Sequence, residues 1–408
     1  MSFRPELLSE IWAKLGHDVV IVGASYTHLR HCQPVINGLL SEDSQGHSHR
    51  IWLRTPGYRS NGVGRFLNML VFALLLLVRL PFTKSVRKAD IYISSSTHPF
   101  DIFGVKFLAW LNGGKVVFEL HDIWPESLIE LGGLKSSHPF SIIVKWIRPL
   151  CYRWADGVVS MLPQAQSHIE RYFGDKSKIT YISNGAFPGL LEPNASAPAE
   201  PDKVISPYSD LFRAMEETSK AGRLNCVYTG YLGPQNAMSD MLEIAPQFIG
   251  RIDFHLVGDG PLRPQLATKF GKMGNVTFHG TVPLEISQAC QRAADILYIG
   301  WQKKQIYRYG VTPNKLFEYF AAGKPVIQAL SFADNLVARA DAGFCCAAED
   351  HKAIAEAFEK MLSMSAEERD QMGMNGRKFV REQFSYDTLA CKFLDFMQDL
   401  TRECHPDS

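Results

Sequence analysis

The sequence predicts an α/β protein of two doubly wound domains, each a parallel sheet flanked by helices, with a cleft between the domains. A chain of 408 residues is longer than one ordinary core supports, which indicates two domains. Short β-rich runs alternate with longer helical patterns, the order that βαβ units produce. A stretch rich in Pro, Ala and Ser at 184–210 separates two such series and is typical of a linker.

The first series contains β-rich runs and helical patterns in alternation. We predict strands at 18–25, 89–96, 114–120, 157–162 and 178–183, and helices at 65–79, 100–111 and 138–155. Before them, "FRPELLSEIWAKLGHD" is a helical pattern, although a doubly wound domain usually opens with its central strand. We therefore expect the first strand to be missing, through truncation or the choice of start site.

The second series follows the same alternation. Its predicted strands are 224–230, 252–258, 275–280, 295–300, 325–330 and 343–348, and its helices 237–247, 261–272, 285–293, 313–322, 351–362 and 366–382. The predicted domains are therefore 1–185 and 222–385, with 186–221 as a linker or surface excursion. Ligands of doubly wound sheets bind beyond the carboxyl ends of the strands, so site residues should directly follow strands.

Composition excludes several classes of function. The net charge is +1, with 43 basic and 42 acidic residues, and gives no sign of a nucleic-acid partner. The eight cysteines include no C-x-x-C spacing, so we expect reduced thiols in a cytosolic protein and neither a zinc site nor a disulfide framework. Residues 1–20 contain charges and no long apolar core, so we predict no signal peptide.

The most apolar segment is "FLNMLVFALLLLVRLPF", residues 66–82, and basic residues flank it. Its uninterrupted run, 69–78, is shorter than the roughly 20 residues that span a bilayer. Two interpretations stay open and are compatible: a core helix between a sheet and solvent, or a helix that lies in an anionic membrane interface. In the second case, 65–88 would contact the cytoplasmic face of the inner membrane.

The stretch "RYGVTPNKLFEYFAAGKPVIQ", 308–328, predicts a helix with clear ends: Thr312 as N-cap, Pro313 at the first position and Gly323 after the last turn. The backbone N–H groups of the first turn, with Asn314, Lys315 and Leu316, favour an anion. The helix dipole disfavours the positive charge of Lys315 at this end of the helix, and residues that conflict with such a local rule often have a function. Glu318 lies one turn on, in reach of sugar hydroxyls. The alternative is an ordinary Lys–Glu surface pair.

Three other strand ends carry glycine or polar residues. Gly230 and Gly233 in "VYTGYLGPQN" follow a strand and allow the backbone to approach a ligand closely. Gly258 and Asp259 in "LVGDGPL" do the same, and a plain strand–helix turn is equally compatible. In "FELHDIWPESL", His121 and Asp122 end a strong strand, where a structural role and a catalytic or ligand contact weigh about equally.

Six motifs in this order resemble retaining glycosyltransferases of family 4, which have the GT-B fold, and especially bacterial members that make surface polysaccharides. They are "ELHDIWPESLIELGGL", "ISNGAF", "VYTGYLG", "FHLVGDGPLRPQL", "NVTFHGTVP" and "GVTPNKLFEYFAAGKPV". The resemblance covers nearly the whole chain. It implies two facing Rossmann-like domains, with a last helix at about 386–401 that packs back on the first domain.

The resemblance also implies a nucleotide-diphosphate sugar donor bound by the second domain and an acceptor bound by the first. The family uses neither a metal nor a bound cofactor, and the sequence contains no Asp-x-Asp motif or metal-ligand cluster. Cationic and backbone donors must then neutralise the leaving diphosphate, a role that Lys315 and the helix start would fill. The resemblance assigns His121 and Asp122 to the catalytic region. Donor contacts would come from two groups of residues: Gly230, Gly233, Gly258 and Asp259 after the strands, and Thr312, Pro313, Asn314, Lys315, Leu316 and Glu318 at the helix start.

Two positions depart from the family pattern. Glu318 matches the second glutamate of its Glu–seven residues–Glu motif, which contacts the nucleotide ribose, but the first position is Gly310. The donor sugar must then be bound by other groups, such as Tyr309, backbone N–H groups or the His121–Asp122 turn. Where many members carry Arg and Lys after the strand, this chain has Tyr231 and Gln235 or Asn236.

The predicted function is transfer of a sugar with retention from a nucleotide-diphosphate donor, with UDP as the expected nucleotide. The acceptor would be a glycan or a sugar linked to polyprenyl diphosphate, in bacterial surface polysaccharide synthesis such as lipopolysaccharide or exopolysaccharide. Two alternatives stay open. A UDP-sugar 2-epimerase shares the fold, and a non-catalytic nucleotide-sugar-binding or assembly protein would explain Gly310 and the missing strand.

Overall fold

The structure is a computed structural model that describes residues 4–28, 30, 32–45, 48–59, 62–95, 97–192, 208–332 and 335–402. Outside them lie 193–207 of the predicted linker, Ser96 of a predicted strand, and Cys404. The chain divides into two compact units. The N-terminal unit comprises Met1–Ser183 with Tyr386–Ser408, and the C-terminal unit comprises Asn184–Ser385.

The strands of the N-terminal unit form two sheets, in the orders β1-β3-β2 and β4-β5-β6-β7, and the second sheet is parallel throughout. These strands are β1 Val20–Ala24, β2 Leu40–Gln45, β3 Ser48–Leu53, β4 Ile91–Ser94, β5 Lys115–Leu120, β6 Gly157–Ser160 and β7 Ile179–Tyr181. Its helices are α1 Arg4–Lys14, α2 Val63–Val78, α3 Ile102–Asn112, α4 Glu126–Glu130, α5 Pro139–Trp154, α6 Gln166–Ile169 and the final α16 Tyr386–Arg402.

Helices α1 and α16 pack on each other and on one face of the second sheet. Trp12 on α1 donates its indole N–H to the Ala390 carbonyl at 3.0 Å and meets Phe393 edge-on at 5.3 Å between ring centroids. Both helices share a buried cluster with Val117 of β5 and Val159 of β6. The last helix therefore belongs to the N-terminal unit because its apolar stripe completes that core.

Helix α1 begins at Arg4, the first described residue, and is followed by β1. Among the described strands, β1 pairs with β3 alone and β4 with β5 alone. In the C-terminal unit, by contrast, the opening strand lies between two neighbours. The consequence is visible in burial: every residue of β1 is only half-buried.

A hairpin at 40–53 is a feature that the sequence interpretation missed. Strand β2, Leu40–Gln45, pairs antiparallel with β3. The sequence of β2, "LSEDSQ", is almost wholly polar, so it lacks the apolar alternation that marks a strand. Pairing with the apolar β3, whose Ile51 and Leu53 are fully buried, determines its conformation.

The C-terminal unit contains one parallel sheet of six strands in the order β10-β9-β8-β11-β12-β13. Its strands are β8 Leu224–Thr229, β9 Ile252–Val257, β10 Val276–Gly280, β11 Ile296–Gly300, β12 Val326–Ala329 and β13 Gly343–Cys346. Its helices are α7 Pro188–Leu191, α8 Ser209–Lys220, α9 Met238–Ile244, α10 Arg263–Phe270, α11 Leu284–Ala293, α12 Asn314–Ala322, α13 Leu336–Arg339, α14 His351–Ser363 and α15 Ala366–Gln383.

Helix α8 lies inside the stretch 186–221, which the sequence interpretation assigned to a linker or surface excursion without predicting a helix. It buries Leu211, Met215 and Thr218, spaced as one helical face. The Thr218 hydroxyl donates to the Asp253 carboxylate on β9 at 2.7 Å. The helix was missed because its sequence follows directly on the Pro-rich segment.

We expect Trp12→Ala to lower the free energy of unfolding of the N-terminal unit by about 3–5 kcal/mol, because it removes a buried ring and leaves a cavity. Urea unfolding followed by circular dichroism measures this. Leu15→Ala, one turn on at an exposed position, is the control and should change stability by less than about 0.5 kcal/mol. Equal effects of the two changes would contradict the packing described for α1 and α16.

Candidate active site

The loops that follow β8 and β9 are bound to each other through their backbones. The Leu232 N–H donates to the Asp259 carbonyl at 2.8 Å, and the Leu262 N–H donates to the Leu232 carbonyl at 3.1 Å. A Cβ atom on Gly258 would lie 1.9 Å from the Gly230 carbonyl oxygen, and Gly258 has a φ of 141°. Glycine is therefore required at position 258, and the structure brings the predicted Gly230, Gly258 and Asp259 together.

Lys315 extends from the first turn of α12 into this pair of loops. Its Nζ atom lies 3.8 Å from the centroid of the Tyr228 ring and 2.9 Å from the point where a Cβ on Gly230 would stand. Burial lowers the pKa of Lys315 to about 7, although the nearby Glu318 carboxylate acts in the opposite direction. Within the described part of the chain, no carboxylate lies within 4.0 Å of this ammonium group.

Glu318 lies one turn further along α12, next to the end of β8. Its Oε2 accepts a hydrogen bond from the Gln291 amide at 3.4 Å, and the same amide donates to the Thr229 hydroxyl at 2.9 Å. Burial raises the pKa of Glu318, while Gln291 and Lys315 oppose the shift. Lys315 and Glu318 are therefore not the solvated surface pair of the alternative interpretation, because both interact with the buried end of the sheet.

The start of α12 differs from the sequence prediction in two respects. The helix begins at Asn314 after Pro313, and the Thr312 hydroxyl accepts a hydrogen bond from the Asn184 N–H at 3.0 Å, so Thr312 does not cap the helix. Leu316 is buried, and its N–H donates to the Pro313 carbonyl at 3.1 Å. Among the first-turn side chains, Asn314 is exposed, whereas Lys315 extends into the loops that follow β8 and β9.

Gly233, Gly310 and Tyr309, which the sequence associates with donor binding, each lie in a restricted environment. Gly233 lies under the Tyr231 ring, where a Cβ would come within 2.2 Å of a ring carbon. Gly310 has φ 89° and ψ 176°, a region that is almost restricted to glycine. A glutamate at this position would be strained, so the departure from the family motif is a change of backbone as well as of side chain. Tyr309 is buried, and its hydroxyl accepts from Arg308 at 2.7 Å.

In the N-terminal unit, His121 belongs to a buried polar network. Its Nε2 atom lies 3.2 Å from the Glu119 carboxylate and 3.1 Å from the Ser95 hydroxyl. Glu119 also accepts from Arg4 at 2.8 Å and from Ser95, and Arg4 donates to the carbonyls of Ile182 and Ser183. Glu119 and Arg4 are 2% and 6% exposed, so this ion pair is buried.

The network determines which nitrogen of His121 carries the proton. Burial alone would raise the pKa of Glu119, but Arg4, His121 and Ser95 hold it well below its usual range. An ionised carboxylate only accepts hydrogen bonds, so Nε2 of His121 must donate. In the neutral ring, Nδ1 is then an acceptor, suited to receive a hydrogen bond from a sugar hydroxyl.

Asp122 lies beside His121 with an exposed side chain. The turn is held by its backbone, since the Trp124 N–H donates to the Asp122 carbonyl at 3.1 Å. His121 and Asp122 line a cavity of about 20 Å³, together with Trp124 and Arg148, which is room for about one water molecule. Across the described ranges, no group of three or more His, Cys, Asp or Glu side chains is placed to bind a metal ion.

Sequence reasoning missed Arg4, Ser95 and Glu119. Glu119 lies within a strand of apolar residues, where a lone buried carboxylate requires a cationic partner. That requirement could have marked Glu119 as a functional or structural residue. No comparable signal in the sequence marked its partner Arg4, which lies 115 residues earlier.

Comparison with known proteins gives the family. Residues 3–185 match the glycosyl transferase 4-like domain, and residues 223–364 match the model described as glycosyl transferases group 1. The chain belongs to family 4 of the glycosyltransferases, with the GT-B fold. It is thus a transferase, as the six motifs predict.

Two curated relatives of this glycosyltransferase illustrate the range of the family. The probable glycosyltransferase WbjE of Pseudomonas aeruginosa is 21% identical over 84% of this chain and 82% of its own length. A mycobacterial relative, the GDP-mannose-dependent alpha-(1-6)-phosphatidylinositol monomannoside mannosyltransferase of Mycobacterium tuberculosis, is 28% identical over 59% of this chain and 66% of its own.

Solved structures share the fold of the glycosyltransferase at low sequence identity. Sucrose-phosphate synthase from Thermosynechococcus elongatus superposes with a TM-score of 0.68 at 16% identity, over 98% of this chain and 92% of that one. HepE of Anabaena, in complex with UDP and glucose, superposes with a TM-score of 0.62 at 13% identity, over 97% and 96% of the two chains.

We expect Glu119→Gln to lower the free energy of unfolding by about 3 kcal/mol, because it leaves the buried Arg4 charge without its carboxylate. Since the pKa of Glu119 is lowered in the folded state, its stabilising effect is present above the unfolded-state pKa and is lost as the pH falls below it. Urea unfolding at pH 7 and pH 4 measures both effects, and the difference between wild type and variant should shrink at pH 4.

The control for this prediction is Glu216→Gln, which removes an exposed pair with Lys220 on α8. It should cost less than about 0.5 kcal/mol at either pH. A Glu119→Gln effect as small as that of the control would show that the Arg4–Glu119 pair does not stabilise the unit.

Proposed function

We propose that the protein transfers a sugar, with retention of configuration, from a UDP-sugar to a glycan or to an acceptor linked to polyprenyl diphosphate, in bacterial surface polysaccharide synthesis. The observation that carries the proposal is the unpaired, desolvated Lys315 ammonium at the start of α12, between the glycine loops that follow β8 and β9. A cation in this position lacks a counter-ion, and a diphosphate supplies one.

The donor would bind with its diphosphate at Lys315 and at the free N–H groups of the first turn of α12. Glu318, one turn deeper, would accept hydrogen bonds from the ribose hydroxyls. Where the family pattern has Arg and Lys, this chain has Tyr231 and Gln235 or Asn236, so Lys315 would neutralise the charge of the leaving group. HepE was solved in complex with UDP and glucose, which supports this choice of nucleotide, whereas the mycobacterial relative is named for GDP-mannose.

In the transfer step, the bond between the anomeric carbon and the diphosphate oxygen breaks as the acceptor oxygen attacks the same face of the sugar. The departing phosphate oxygen accepts the proton of the acceptor hydroxyl, so no protein nucleophile and no metal is required in this proposal. Lys315 stabilises the charge that develops on the diphosphate. Nδ1 of His121 would orient a hydroxyl of the donor sugar, and Asp122 would lie beside it.

The acceptor and the cellular location are inferred from the apolar segment. Residues 65–88 would contact the cytoplasmic face of the inner membrane, where acceptors linked to polyprenyl diphosphate are available to a cytoplasmic enzyme. The relative WbjE has a name that does not specify its acceptor. The wild-type protein incubated with a panel of UDP- and GDP-sugars, with membrane extracts as the acceptor source, would identify donor and acceptor together.

We expect Lys315→Ala and Glu318→Ala each to reduce transfer, measured as labelled sugar entering the acceptor, by about tenfold to a hundredfold. This is the loss that a removed charge-assisted hydrogen bond produces. Lys352→Ala and Glu356→Ala, from an exposed pair on α14, serve as matched controls and should keep wild-type activity. Near-normal transfer by both site variants would refute the site, and tight UDP binding by wild type without turnover would favour a non-catalytic binder.

A further inference from the structure

Helices α2, α3 and α5 form one layer on the second sheet of the N-terminal unit. Tyr152 of α5 meets Phe118 of β5 edge-on at 5.3 Å, whereas α16 packs against Val117, which faces the opposite side of the strand. Phe66 of α2 contacts Phe140 of α5 at 5.5 Å between ring centroids, and α3 packs against α2, α5 and the sheet. The outward faces of these helices therefore lie on one side of the unit.

This outward face is apolar and aromatic. Trp146 is 79% exposed and Trp110 is 74% exposed, and the latter stacks on Phe107. Leu74 and Val78 of α2 are also exposed, more than half of each side chain reaching solvent. The helix layer on the other face of the same sheet shows the usual pattern, since the exposed positions of α16 are mostly polar, such as Asp387 and Asp399. The difference requires a specific explanation, because groups of exposed apolar side chains commonly mark sites that bind a protein or a membrane.

The same three helices contain no aspartate or glutamate between their first and last residues. Exposed basic residues lie on or next to them: Arg79, Lys84, Lys145 and Arg153. Among the described residues, none of these four has a carboxylate within 4.0 Å. Lys145 directly precedes the exposed Trp146, whereas Arg79 and Lys84 line a cavity that also contains Asp18 and Glu42. Exposed cations beside exposed tryptophans complement an anionic lipid surface, where indole rings locate at the level of the headgroups.

Helix α2 cannot leave this layer to cross a bilayer without exposing its inner face. The stretch Val63–Phe82 has a mean hydropathy of 2.0 and is long enough to span, but 39% of it is buried in the unit. Met69 and Leu76 belong to the buried stripe, and a Cβ on Gly104 of α3 would lie 2.4 Å from the Leu76 Cβ. The close helix contact indicates that α2 lies along a surface, with only its outer stripe available.

We propose that the outward face of α2, α3 and α5 docks as one surface on an anionic lipid bilayer, with Trp110 and Trp146 inserted at the headgroup level and the four cations over lipid phosphates. The proposal deepens the membrane contact of the proposed function, on which it rests, and it adds two helices that lie outside 65–88. The occupant is a bilayer: the long apolar stripe of α2 and the lack of aspartate and glutamate in the sequences of these three helices match lipid phosphates better than a protein surface of mixed charge.

The test is co-sedimentation of the full chain with vesicles of phosphatidylcholine, alone or with phosphatidylglycerol, at low salt. We expect binding to the mixed vesicles at least about tenfold tighter than to phosphatidylcholine alone. Lys145→Glu with Arg153→Glu should weaken binding to mixed vesicles by about fivefold or more per residue. Trp110→Ser with Trp146→Ser should weaken it by about tenfold or more.

Control variants come from the C-terminal unit. Ile249→Ser with Met374→Ser removes two exposed apolar side chains, and Lys272→Glu with Lys378→Glu reverses two exposed charges. Both should bind vesicles as wild type does. If the tryptophan variant instead converts a dimer to a monomer in sedimentation velocity while vesicle binding is unchanged, the face is a self-association surface and the proposal is refuted. Failure of wild type to bind mixed vesicles would refute it equally.

The two proposals fail separately. UDP binding measured without vesicles reports on the C-terminal unit alone and should be equal in wild type and in the tryptophan variant. Loss of vesicle binding with normal UDP binding is the expected result for that variant. Vesicle binding by a wild-type protein that does not bind UDP would contradict the proposed function and leave the docking surface intact.

Discussion

A buried ammonium group without a carboxylate partner is the constraint on which the candidate site depends. Desolvation lowers the pKa of Lys315 to about 7. At pH 7 its amino group is therefore charged in only part of the molecules. Tyr228 contacts it through the ring face and Glu318 lies nearby, but neither forms an ion pair with it at 4.0 Å or less among the described residues. The loops around it tolerate only glycine at position 258, which keeps their backbones close, and the Lys315 side chain occupies the space where a Cβ on Gly230 would stand.

In the N-terminal unit the situation is reversed, because the buried charge of Arg4 is paired with that of Glu119. Arg4 and Glu119 compensate each other, and the surplus acceptor capacity of Glu119 fixes Ser95 and His121. A paired network of this kind orients a side chain without itself needing a ligand. The buried charges of the two units thus differ: Arg4 in the N-terminal unit is paired with Glu119, whereas Lys315 in the C-terminal unit has no carboxylate within 4.0 Å among the described residues.

Most of the sheets could be predicted from the sequence because the strands of a parallel sheet are continuous apolar runs. The exceptions share a physical cause. Strand β2 and the role of Thr312 are determined by partners elsewhere in the chain, β3 for the first and Asn184, 128 residues away, for the second. The sequence pattern around a residue gives no information about a partner that lies far away in the chain. Lys315 was predictable because a cation at a helix start conflicts with a local rule, whereas Arg4 conflicts with none.

The most direct test of the account is proton uptake on UDP binding at pH 8, measured by calorimetry in buffers of different ionisation enthalpy. Because Lys315 is mostly neutral above its pKa of about 7, and a diphosphate favours the charged form, UDP should bind with uptake of about one proton. Uridine, which lacks the phosphates, should cause none, and Lys315→Met should abolish the uptake and weaken UDP binding. UDP binding without proton uptake, or uptake that persists in Lys315→Met, would contradict the assignment of Lys315 as the diphosphate site.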